Sequence, residues 1–473
     1  MNTSIKIRKK SNASSLSIAA AAPLANDMVV EILPMAAVKE PDRKIRVITN
    51  RAIATAKAIL EKLEQPVPVV VSDDGTIIMG TEFFLAAREL GHQSIKIVRM
   101  SKLSREHARV LTIALARLPE LSTWDKDALR LEFQELIALD LDIDLHDFTG
   151  HNIAEMDIII EGESASNKPN PLDNLPETPS SDETITRAGD VWHLNLHHLL
   201  CDTALEADSY VRLLGDRVIR MLFSDAPYGL RIKGNVSRKH EDFAMGVGEQ
   251  TSEEFTVFLE TMIVLAVHYL VDGGLAYLFM DRRHLLEIQI AARRAGLSIL
   301  DLCFWNKMSG GMGGLYRSQH EPCFVFKHGK APHINNVELG KHGRHRTNVW
   351  DHRGLSSFGK GRDEALAQHP TIKPVNLLAE AIKDCTKRGE IVLDPFMGSG
   401  STILAAETTG RIAYGIELEP RYVYVAIVCW QNMTGKQAVL ESTGQTFDEL
   451  RADQLAGRER SIPQSTDDTT LTV

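Results

Sequence analysis

The chain has 473 residues, of which 44% are hydrophobic and 25% charged, an ordinary composition for a water-soluble protein of two or three domains. Its net charge of −10, from 53 basic and 63 acidic residues, excludes a uniformly basic, histone-like surface but permits local basic patches. Five scattered cysteines without a C-x-x-C pair exclude a disulfide framework and a cysteine-based zinc site, and we predict no bound metal. No apolar run is long enough to span a bilayer, so we predict a cytoplasmic protein with no membrane partner.

Composition divides the chain into five segments. The first is rich in Ser, Ala and Lys, and the third and the last are polar without an apolar period. The second and fourth alternate strand and helix patterns, and the longer fourth segment predicts a mainly parallel sheet. The predicted segments are a disordered start (1–35), a small α+β domain (36–160), a flexible linker (161–188), an α/β domain (189–438) and a polar C-terminal segment (439–473).

Turn and cap signals locate the elements of the small domain. Asp73-Asp74-Gly75 is a strong turn signal between two apolar, β-branched runs, and Gly91 is a good cap for the end of a helix. The predicted elements are strands at 66–71, 76–79 and 95–98 and helices at 82–90, 104–118 and 126–139.

In the α/β domain, one apolar strand ends in an acidic turn. The run 218–223 leads into Ser-Asp-Ala-Pro-Tyr at 224–228. An adenine or cytosine amino group is a poor nucleophile, and it needs acceptors for both of its hydrogens before its nitrogen can attack a methyl group. Asp225 can supply one acceptor, the carbonyl of Ala226 the other, and Tyr228 can stack on a base flipped out of a helix. An ordinary strand-end turn explains the same residues, because Asp and Pro are common there.

A Gly-rich turn follows a later apolar strand at 391–394. Glycines at Gly398 and Gly400 would let the backbone approach a ligand closely, and a helix begins near Ser401. A Walker A loop needs lysine where Ser401 stands, so this turn does not predict a triphosphate loop. Taken alone, the glycines are explained equally well by a tight strand–helix turn without a ligand.

An acidic residue at the end of the next strand provides a second possible ligand contact beside the Gly-rich turn. The strand at 412–416 ends at Glu417, whose carboxylate can accept hydrogen bonds from ribose hydroxyls. Together, the Gly-rich turn and Glu417 predict a site for an adenosine-containing cofactor.

Both motifs resemble those of the β group of DNA amino-methyltransferases. The residues at 225–228 resemble the Asp-Pro-Pro-Tyr motif of that group, and those at 394–400 its Phe-x-Gly-x-Gly cofactor loop, in the β-group order. Further segments look like blocks of bacterial and phage modification methylases, at 305–307, 316–321, 346–350 and 369–374. The resemblance covers about 189–438 and implies a Rossmann-like S-adenosylmethionine-dependent methyltransferase with a mostly parallel, twisted seven-stranded sheet. It implies site-specific methylation of adenine N6 in DNA, because Asp at the motif start favours adenine, with cytosine N4 as the alternative.

The resemblance also implies a role for each matching residue. The target-base site would consist of Asp225, Ala226, Pro227 and Tyr228. S-adenosylmethionine would be bound by Asp394, Phe396, Gly398, Gly400, Glu417, Thr371, Lys373 and Asp202, with Glu417 on the ribose and Thr371 and Lys373 over the methionine part. Ala226 replaces the first Pro of the motif, and Gly229 stands where Asn is common. These departures keep open a second hypothesis, a catalytically inactive DNA-binding regulator.

A basic stretch between the two motifs predicts the DNA contact. Residues 327–362 hold eight Lys or Arg, five His and only two acids, in a chain that is acidic overall. The stretch lies within 306–362, where the resembling group reads its target sequence. We therefore predict double-stranded DNA as the partner, contacted by Lys341, Arg344, Arg346, Arg353, Lys360 and Arg362. A solvated basic loop is the alternative.

The small domain resembles a ParB-like domain at 66–80 and 86–91. That family often has Gly-x-Arg-Arg after its second strand, whereas Gly80 is followed here by Thr-Glu-Phe at 81–83. We therefore expect a docking role toward DNA or a protein, rather than nucleotide hydrolysis or nuclease activity. The chain is compatible with a homodimer, and no endonuclease motif stands out, which suits a modification methylase in a bacterial or phage-infected cell.

Overall fold

The computed structural model describes residues 29–139, 141–161, 170–227, 251–310, 315–337, 344–354 and 373–461. The chain divides into two compact units, Met1–Asn152 and Ile153–Val473, and each is described by itself. Several predicted site residues lie outside the described residues, namely Tyr228, Lys341, Lys360, Arg362 and Thr371. No helix in the described part of the chain is both long and apolar enough to cross a membrane.

The described residues of the first unit form a four-stranded sheet and five α-helices. The strand order is β1-β4-β2-β3, with β4 parallel to β2 and antiparallel to β1. Gly75 lies in the β2–β3 turn with φ of +84°, where a side chain would come within 2.6 Å of the carbonyl oxygen of Ala37. The predicted strands and helices are present, and one strand and one helix precede them. The bounds are β1 Val30–Pro34, α1 Asn50–Leu63, β2 Val69–Ser72, β3 Ile77–Met79, α2 Thr81–Glu89, β4 Ser94–Met100, α3 Arg105–Arg117, α4 Lys126–Ala138 and α5 Leu145–Thr149.

The part of the second unit that the structure describes is a ten-stranded sheet with helices on both faces. Across the described residues the strand order is β11-β9-β10-β8-β7-β12-β13-β6-β5-β14. One buried core lies beneath α7, α8 and α9, and the other lies beneath α10, α11 and α12. The bounds are α6 Ile153–Glu161, β5 Val191–Leu194, β6 His197–Cys201, α7 Ala207–Leu214, β7 Ile219–Ser224, α8 Ser252–Val267, β8 Leu270–Phe279, α9 Leu285–Arg294, β9 Ser298–Asn306, β10 His320–Lys327, β11 Val349–Asp351, α10 Val375–Cys385, β12 Ile391–Asp394, α11 Ser401–Thr409, β13 Ile412–Glu417, α12 Pro420–Thr434, β14 Val439–Leu440 and α13 Phe447–Ser461.

Seven inner strands of this sheet, from β6 across to β9, match the predicted seven-stranded sheet. Strands β6, β13, β12, β7 and β8 are parallel neighbours, and β10 is the antiparallel member of the seven. The predicted α/β fold is therefore confirmed. The sheet is longer than predicted, because β11 extends one edge and β5 and β14 extend the other. These added strands are only two to four residues long, too short to give a periodic signal in the sequence.

The second half of the predicted flexible linker is ordered on the second unit, so that prediction is wrong for residues 170–188. Asp173 Oδ1 accepts a hydrogen bond from the backbone N–H of Val375 at 2.9 Å. Asn170 Nδ2 donates to Asn376 Oδ1 at 2.8 Å. We call residues 170–188 the strap. Its apolar side chains are too few to form a period, yet three of them cover the core, namely Leu172, Leu175 and Ile185.

Helix α6 belongs to the second unit, although the sequence analysis assigned it to the small domain. Asp157 is 2% exposed and accepts hydrogen bonds from Arg411 through both carboxylate oxygens, at 3.1 and 2.9 Å. Arg388 Nε donates to the same carboxylate at 3.0 Å. A buried carboxylate needs such cations, and these pairs hold α6 on this unit. The division therefore falls between Asn152 and Ile153 rather than after residue 160.

The folded part of the second unit also extends past the predicted end at residue 438. Phe447 is fully buried, and its ring centre lies 5.5 Å from that of Trp192. Strand β14 pairs with β5. The polar C-terminal segment of the prediction therefore begins with structure that completes the core.

Candidate active site

Four of the predicted site residues meet where parallel strands of the second unit end. Strands β7 and β12 are parallel neighbours, so Asp225 and Asp394 lie at the same edge of the sheet. Strands β13 and β6 end beside them, and the backbone N–H of Asp202 donates to the carbonyl oxygen of Glu417 at 3.1 Å. The carboxylate of Asp202 is bound by Arg212 at 2.8 Å. We call this the carboxyl edge; open α/β sheets bind their ligands there.

Opposite charges alternate beside Asp225 in a partly buried cluster. The Nζ of Lys373 forms ion pairs with Asp225 Oδ2 and with Glu321 Oε1, the second at 2.9 Å. Glu321 Oε2 pairs in turn with the Nζ of Lys307 at 2.6 Å. Lys373 is 6% exposed and Glu321 8%. We call these four residues the charge cluster, in which two cations balance two anions.

The charge cluster keeps Lys373 protonated. Burial alone would lower the pKa of Lys373, but Asp225 and Glu321 together raise it above its usual value. The ammonium also lies 4.9 Å from the ring centre of Phe279, an arrangement that favours the cation. Lys373 is therefore charged at neutral pH and holds one oxygen of Asp225.

This position of Lys373 differs from the prediction, which placed it over the methionine part of the cofactor. The structure puts its ammonium on Asp225 and Glu321 instead. Glu321 and Lys307 lie in segments that look like methylase blocks, but no role was predicted for either residue. A usable signal existed, because Glu321 directly precedes the apolar part of a strand and a buried acid needs a cation.

The Gly-rich turn leaves space on one side and packs tightly on the other. Gly398 has φ of +56°, and among the described residues no atom lies within 4 Å of the position where a Cβ would stand. Gly400 has φ of +89°, and a Cβ there would come within 2.7 Å of the Cβ of Ala426. Glycine is therefore required at Gly400 for packing, and Gly398 provides an open backbone surface for a ligand.

Two acids border this open surface, the buried Asp394 and the half-buried Glu417. Glu417 Oε2 accepts from the N–H of Gly398 at 2.7 Å, and Asp394 Oδ2 accepts from Thr402 Oγ1 at 2.6 Å. Burial raises the pKa of Asp394 to about 7 and that of Glu417 to about 7. Further hydrogen-bond donors would stabilise both carboxylates, and ribose hydroxyls are such donors. The residues present therefore fit an adenosine-type cofactor.

Two of the predicted DNA contacts have structural partners instead. Arg344 is 7% exposed and binds Asp384 at 2.5 Å and Glu380 at 3.2 Å. Arg346 Nε binds Asp384 at 3.1 Å. The prediction is wrong for Arg344, because a buried guanidinium in two ion pairs is not available to DNA, and Arg346 is held in the same group. Arg353 is exposed and stays a candidate.

Comparison with known proteins identifies the domain that carries this edge. Residues 219–428 match the model of a family described as DNA methylase, which includes N6 and N4 enzymes. This part of the chain is a DNA methylase. The DNA methylase spans β7 to α12 and so contains Asp225, the charge cluster, the Gly-rich turn and Glu417. The predicted cofactor, S-adenosylmethionine, is confirmed for this family.

Curated relatives of the DNA methylase are type II methyltransferases. M2.DpnII of Streptococcus pneumoniae is 28% identical over 225 residues, which are 44% of this chain and 80% of the relative. M.HinfI of Haemophilus influenzae is 27% identical over 249 residues, which are 48% of this chain and 67% of the relative. The predicted class of enzyme, a DNA methyltransferase, is thereby confirmed.

Solved structures show weaker likenesses. The crystal structure of the M1.HpyAVI–SAM complex is 19% identical, covers 49% of this chain and 98% of its own, and has a TM-score of 0.36. ParB from Caulobacter crescentus, complexed with CTP-gamma-S, is 13% identical, covers 28% of this chain and 77% of its own, and has a TM-score of 0.24.

Proposed function

We propose that the second unit methylates adenine N6 at specific sequences in double-stranded DNA, with S-adenosylmethionine as the methyl donor. The position of Asp225 carries this proposal. Its carboxylate is held by a buried lysine at the carboxyl edge, one strand from the Gly-rich turn and two strands from Glu417. An amino group presented to Asp225 would therefore lie next to the surface that fits the cofactor.

In this proposal the Gly-rich turn and Glu417 bind the cofactor. When bound, S-adenosylmethionine supplies a methyl group on a positively charged sulfur. Gly398 gives the cofactor access to the backbone, Glu417 accepts hydrogen bonds from the ribose hydroxyls, and Asp394 fixes the turn through Thr402. Phe396, whose ring centre lies 5.8 Å from that of Phe258, forms an apolar wall of the site.

The chain's own part in the reaction is to prepare the amino group. Asp225 and the carbonyl of Ala226 accept its two hydrogens, which localises the nitrogen lone pair, while Pro227 and Tyr228 contact the flipped base. As the nitrogen–carbon bond forms and the sulfur–carbon bond breaks, N6 becomes positive and then loses a proton to solvent. Lys373 fixes Asp225 for this step. Glu321 offsets the charge of Lys373, which would otherwise repel the positive charge growing on N6.

Glu321→Gln tests whether this balance of charge matters. We expect kcat to fall roughly 10- to 100-fold with little change in affinity for S-adenosylmethionine, because Asp225 is held less well while the cofactor surface is intact. The loss of one anion also lowers the pKa of Lys373. The alkaline limb of the pH–activity profile therefore shifts to lower pH. Glu321→Asp keeps the charge and serves as the control. Unchanged kcat and an unshifted pH profile in Glu321→Gln would contradict the role.

The pKa of Glu417 predicts that cofactor affinity rises with pH. Without cofactor, the raised pKa of about 7 means that Glu417 is largely protonated at pH 6 and ionised at pH 8. Ribose hydroxyls donate to the ionised form, so we expect S-adenosylmethionine to bind about tenfold more tightly at pH 8 than at pH 6. Calorimetric titration at both pH values measures this directly. Glu417→Gln should bind more weakly at pH 8 and depend less on pH, and equal wild-type affinity at both pH values would refute the assignment.

The same raised pKa values fix the sign of the stability change. A carboxyl whose pKa is higher in the folded state contributes stability below its unfolded pKa, and this stability is lost as pH rises through the folded value. For Asp394 and Glu417 this loss of stability occurs between about pH 4, near the unfolded pKa values, and about pH 7, near the folded ones. The cofactor-free protein is therefore less stable at pH 8 than at pH 5 with respect to these two groups.

We further propose that the enzyme acts in the cytoplasm of a bacterial or phage-infected cell and as a homodimer. Its soluble composition and the type II relatives support the location. Mass measurement by light scattering, with and without duplex DNA, tests the dimer, which a monomer under both conditions would exclude.

Analysis of methylated nucleosides tests the function itself. The protein is expressed in a host that lacks DNA methylation, and its genomic DNA is digested and quantified by mass spectrometry. N6-methyladenine is the expected product. N4-methylcytosine would keep the mechanism and change the base. Absence of both, with S-adenosylmethionine binding intact, would favour the inactive DNA-binding regulator that the Ala226 substitution suggests.

A further inference from the structure

Two arginines stand at the carboxyl edge next to Asp225 and have no role in the proposed reaction. Strand β7 runs parallel to β8, and Ser224 lies opposite Leu278, so the turn after β8 lies beside Asp225. Arg282 and Arg283 occupy this turn, and both side chains are exposed. At roughly 3.3 Å per residue, they lie no more than about 13 Å beyond the level of Asp225.

Two more exposed arginines continue along the same edge. Strand β10 is antiparallel to β9 with His320 opposite Asn306, so Arg317, three residues before β10, lies at this edge. Strand β11 is parallel to β9 with Asp351 opposite Asn306, so Arg353 also follows the strand end at this edge. We call these four the arginine row, which consists of Arg282, Arg283, Arg317 and Arg353.

None of the four guanidinium groups forms a salt bridge within the part of the chain that the structure describes. In contrast, Arg294 binds Glu253 and Glu260, and Arg344 binds Asp384. The protein carries a net charge of −10, so acids to neutralise an arginine are plentiful. Four exposed and unpaired arginines on one edge therefore indicate a surface that meets an external polyanion.

The turn that carries Arg282 and Arg283 is hydrogen-bonded within itself and is connected to the cofactor surface through ring contacts. Asp281 Oδ1 accepts from the backbone N–H of Arg283 at 3.1 Å and lies 2.6 Å from His284 Nδ1. Ring contacts then lead to the Gly-rich turn, with successive centre-to-centre distances of 4.7, 5.9 and 5.8 Å along His284, Phe255, Phe258 and Phe396. The backbone that carries the two arginines is thus packed, through His284, against the Gly-rich turn.

We propose that the arginine row binds the phosphate backbone of the substrate DNA, with Arg282 and Arg283 on phosphates next to the flipped nucleotide. From β7 to β11 the edge crosses four strand spacings, about 19 Å at roughly 4.8 Å each. This length equals the rise of five or six base pairs. Phosphate contacts by arginine position a duplex without reading its sequence, so the row supplies register and affinity, and other residues supply base recognition.

This inference rests on the proposed function but is tested through binding, which needs no knowledge of the recognition sequence. A labelled duplex of arbitrary sequence is titrated with the full chain over a range of salt concentrations. For Arg282→Ala/Arg283→Ala we expect weaker binding and a slope of log affinity against log salt that is smaller by about 2, close to one counterion for each lost phosphate contact. Arg317→Ala should reduce the slope by about 1.

Arg293→Ala is the matched control. Arg293 is exposed and lies near the end of α9, the helix that begins just after the Arg282–Arg283 turn. At 1.5 Å per residue, Arg293 is about 15 Å from this turn along the helix, toward the opposite edge of the sheet. It should leave the slope unchanged. Binding of S-adenosylmethionine by the double variant should equal wild type, which shows that the unit is folded.

A wild-type slope in the double variant would overturn the inference. If the wild-type protein makes methylated DNA but the slope does not change, only the arginine row is refuted. If the slope changes but no methylated base forms, the DNA surface stands and the proposed methyl transfer falls.

Discussion

Replacing Asp225 with alanine should lower kcat for DNA methylation by at least about 10²–10³-fold, the usual effect of removing one positioned polar group from an active site. Asp225 supplies one of the two acceptors for the amino hydrogens, and the carbonyl of Ala226 cannot take both. The substitution also leaves Lys373 with Glu321 as its remaining charge-cluster anion, next to the reacting nitrogen. Transfer of a radiolabelled methyl group under single-turnover conditions measures the effect on the chemical step.

Asp216→Ala is the control for this variant. Asp216 is exposed and lies just before β7, so it stands at the opposite end of the same strand from Asp225. We expect wild-type kcat in this control and wild-type affinity for S-adenosylmethionine in both variants. Substantial methyl transfer by Asp225→Ala, within about tenfold of wild type, would show that the amino group is activated by other residues.

Asp157→Asn should reduce the free energy of unfolding of the second unit by about 3–5 kcal/mol, the usual effect of breaking a buried ion pair. Asparagine has nearly the same shape but leaves the Arg411 guanidinium, whose side chain is fully buried, without its counter-charge. Arg388 loses the same partner. Chemical denaturation followed by tryptophan fluorescence reports mainly on this unit, which holds four of the five tryptophans.

Glu253→Gln provides the comparison for an exposed ion pair. Glu253 is 70% exposed in its pair with Arg294, and such pairs contribute about 0–1 kcal/mol. The two variants each remove one negative charge, so the difference between them isolates burial. Equal unfolding midpoints for Asp157→Asn and wild type would mean that α6 contributes little to the unit.

Local patterns in the sequence were sufficient to predict several site residues. Asp225, Gly398, Gly400 and Glu417 each follow an apolar strand, and parallel strands bring their carboxyl ends to one edge. That geometry needs no knowledge of the packing between distant segments. A mainly parallel sheet could be predicted for the same reason, because alternation of strand and helix implies one, whereas the number of seven strands was implied by the resemblance to DNA amino-methyltransferases.

Partners distant in the sequence could not be predicted in this way. Lys373 and Asp225 are 148 residues apart, and nothing local shows that they pair. Arg344 lies in a basic stretch that looks like a DNA-binding surface, but its charge is neutralised by an ion pair with Asp384. Composition alone does not distinguish a buried arginine from an exposed one, and only the fold assigns each to its partner.

The strap has a consequence for the smallest active fragment of this enzyme. Asp173 and Asn170 bind the first residues of α10, directly after Lys373, and so they anchor the backbone that presents the catalytic-site lysine. A fragment cut at residue 189, where the strand pattern begins, would keep every motif residue and still lose this anchor. It would also lose Asp157 and so leave the buried Arg411 without the carboxylate that it binds. The autonomous catalytic fragment therefore begins at Ile153, and the stretch that reads as a spacer in the sequence is part of the enzyme.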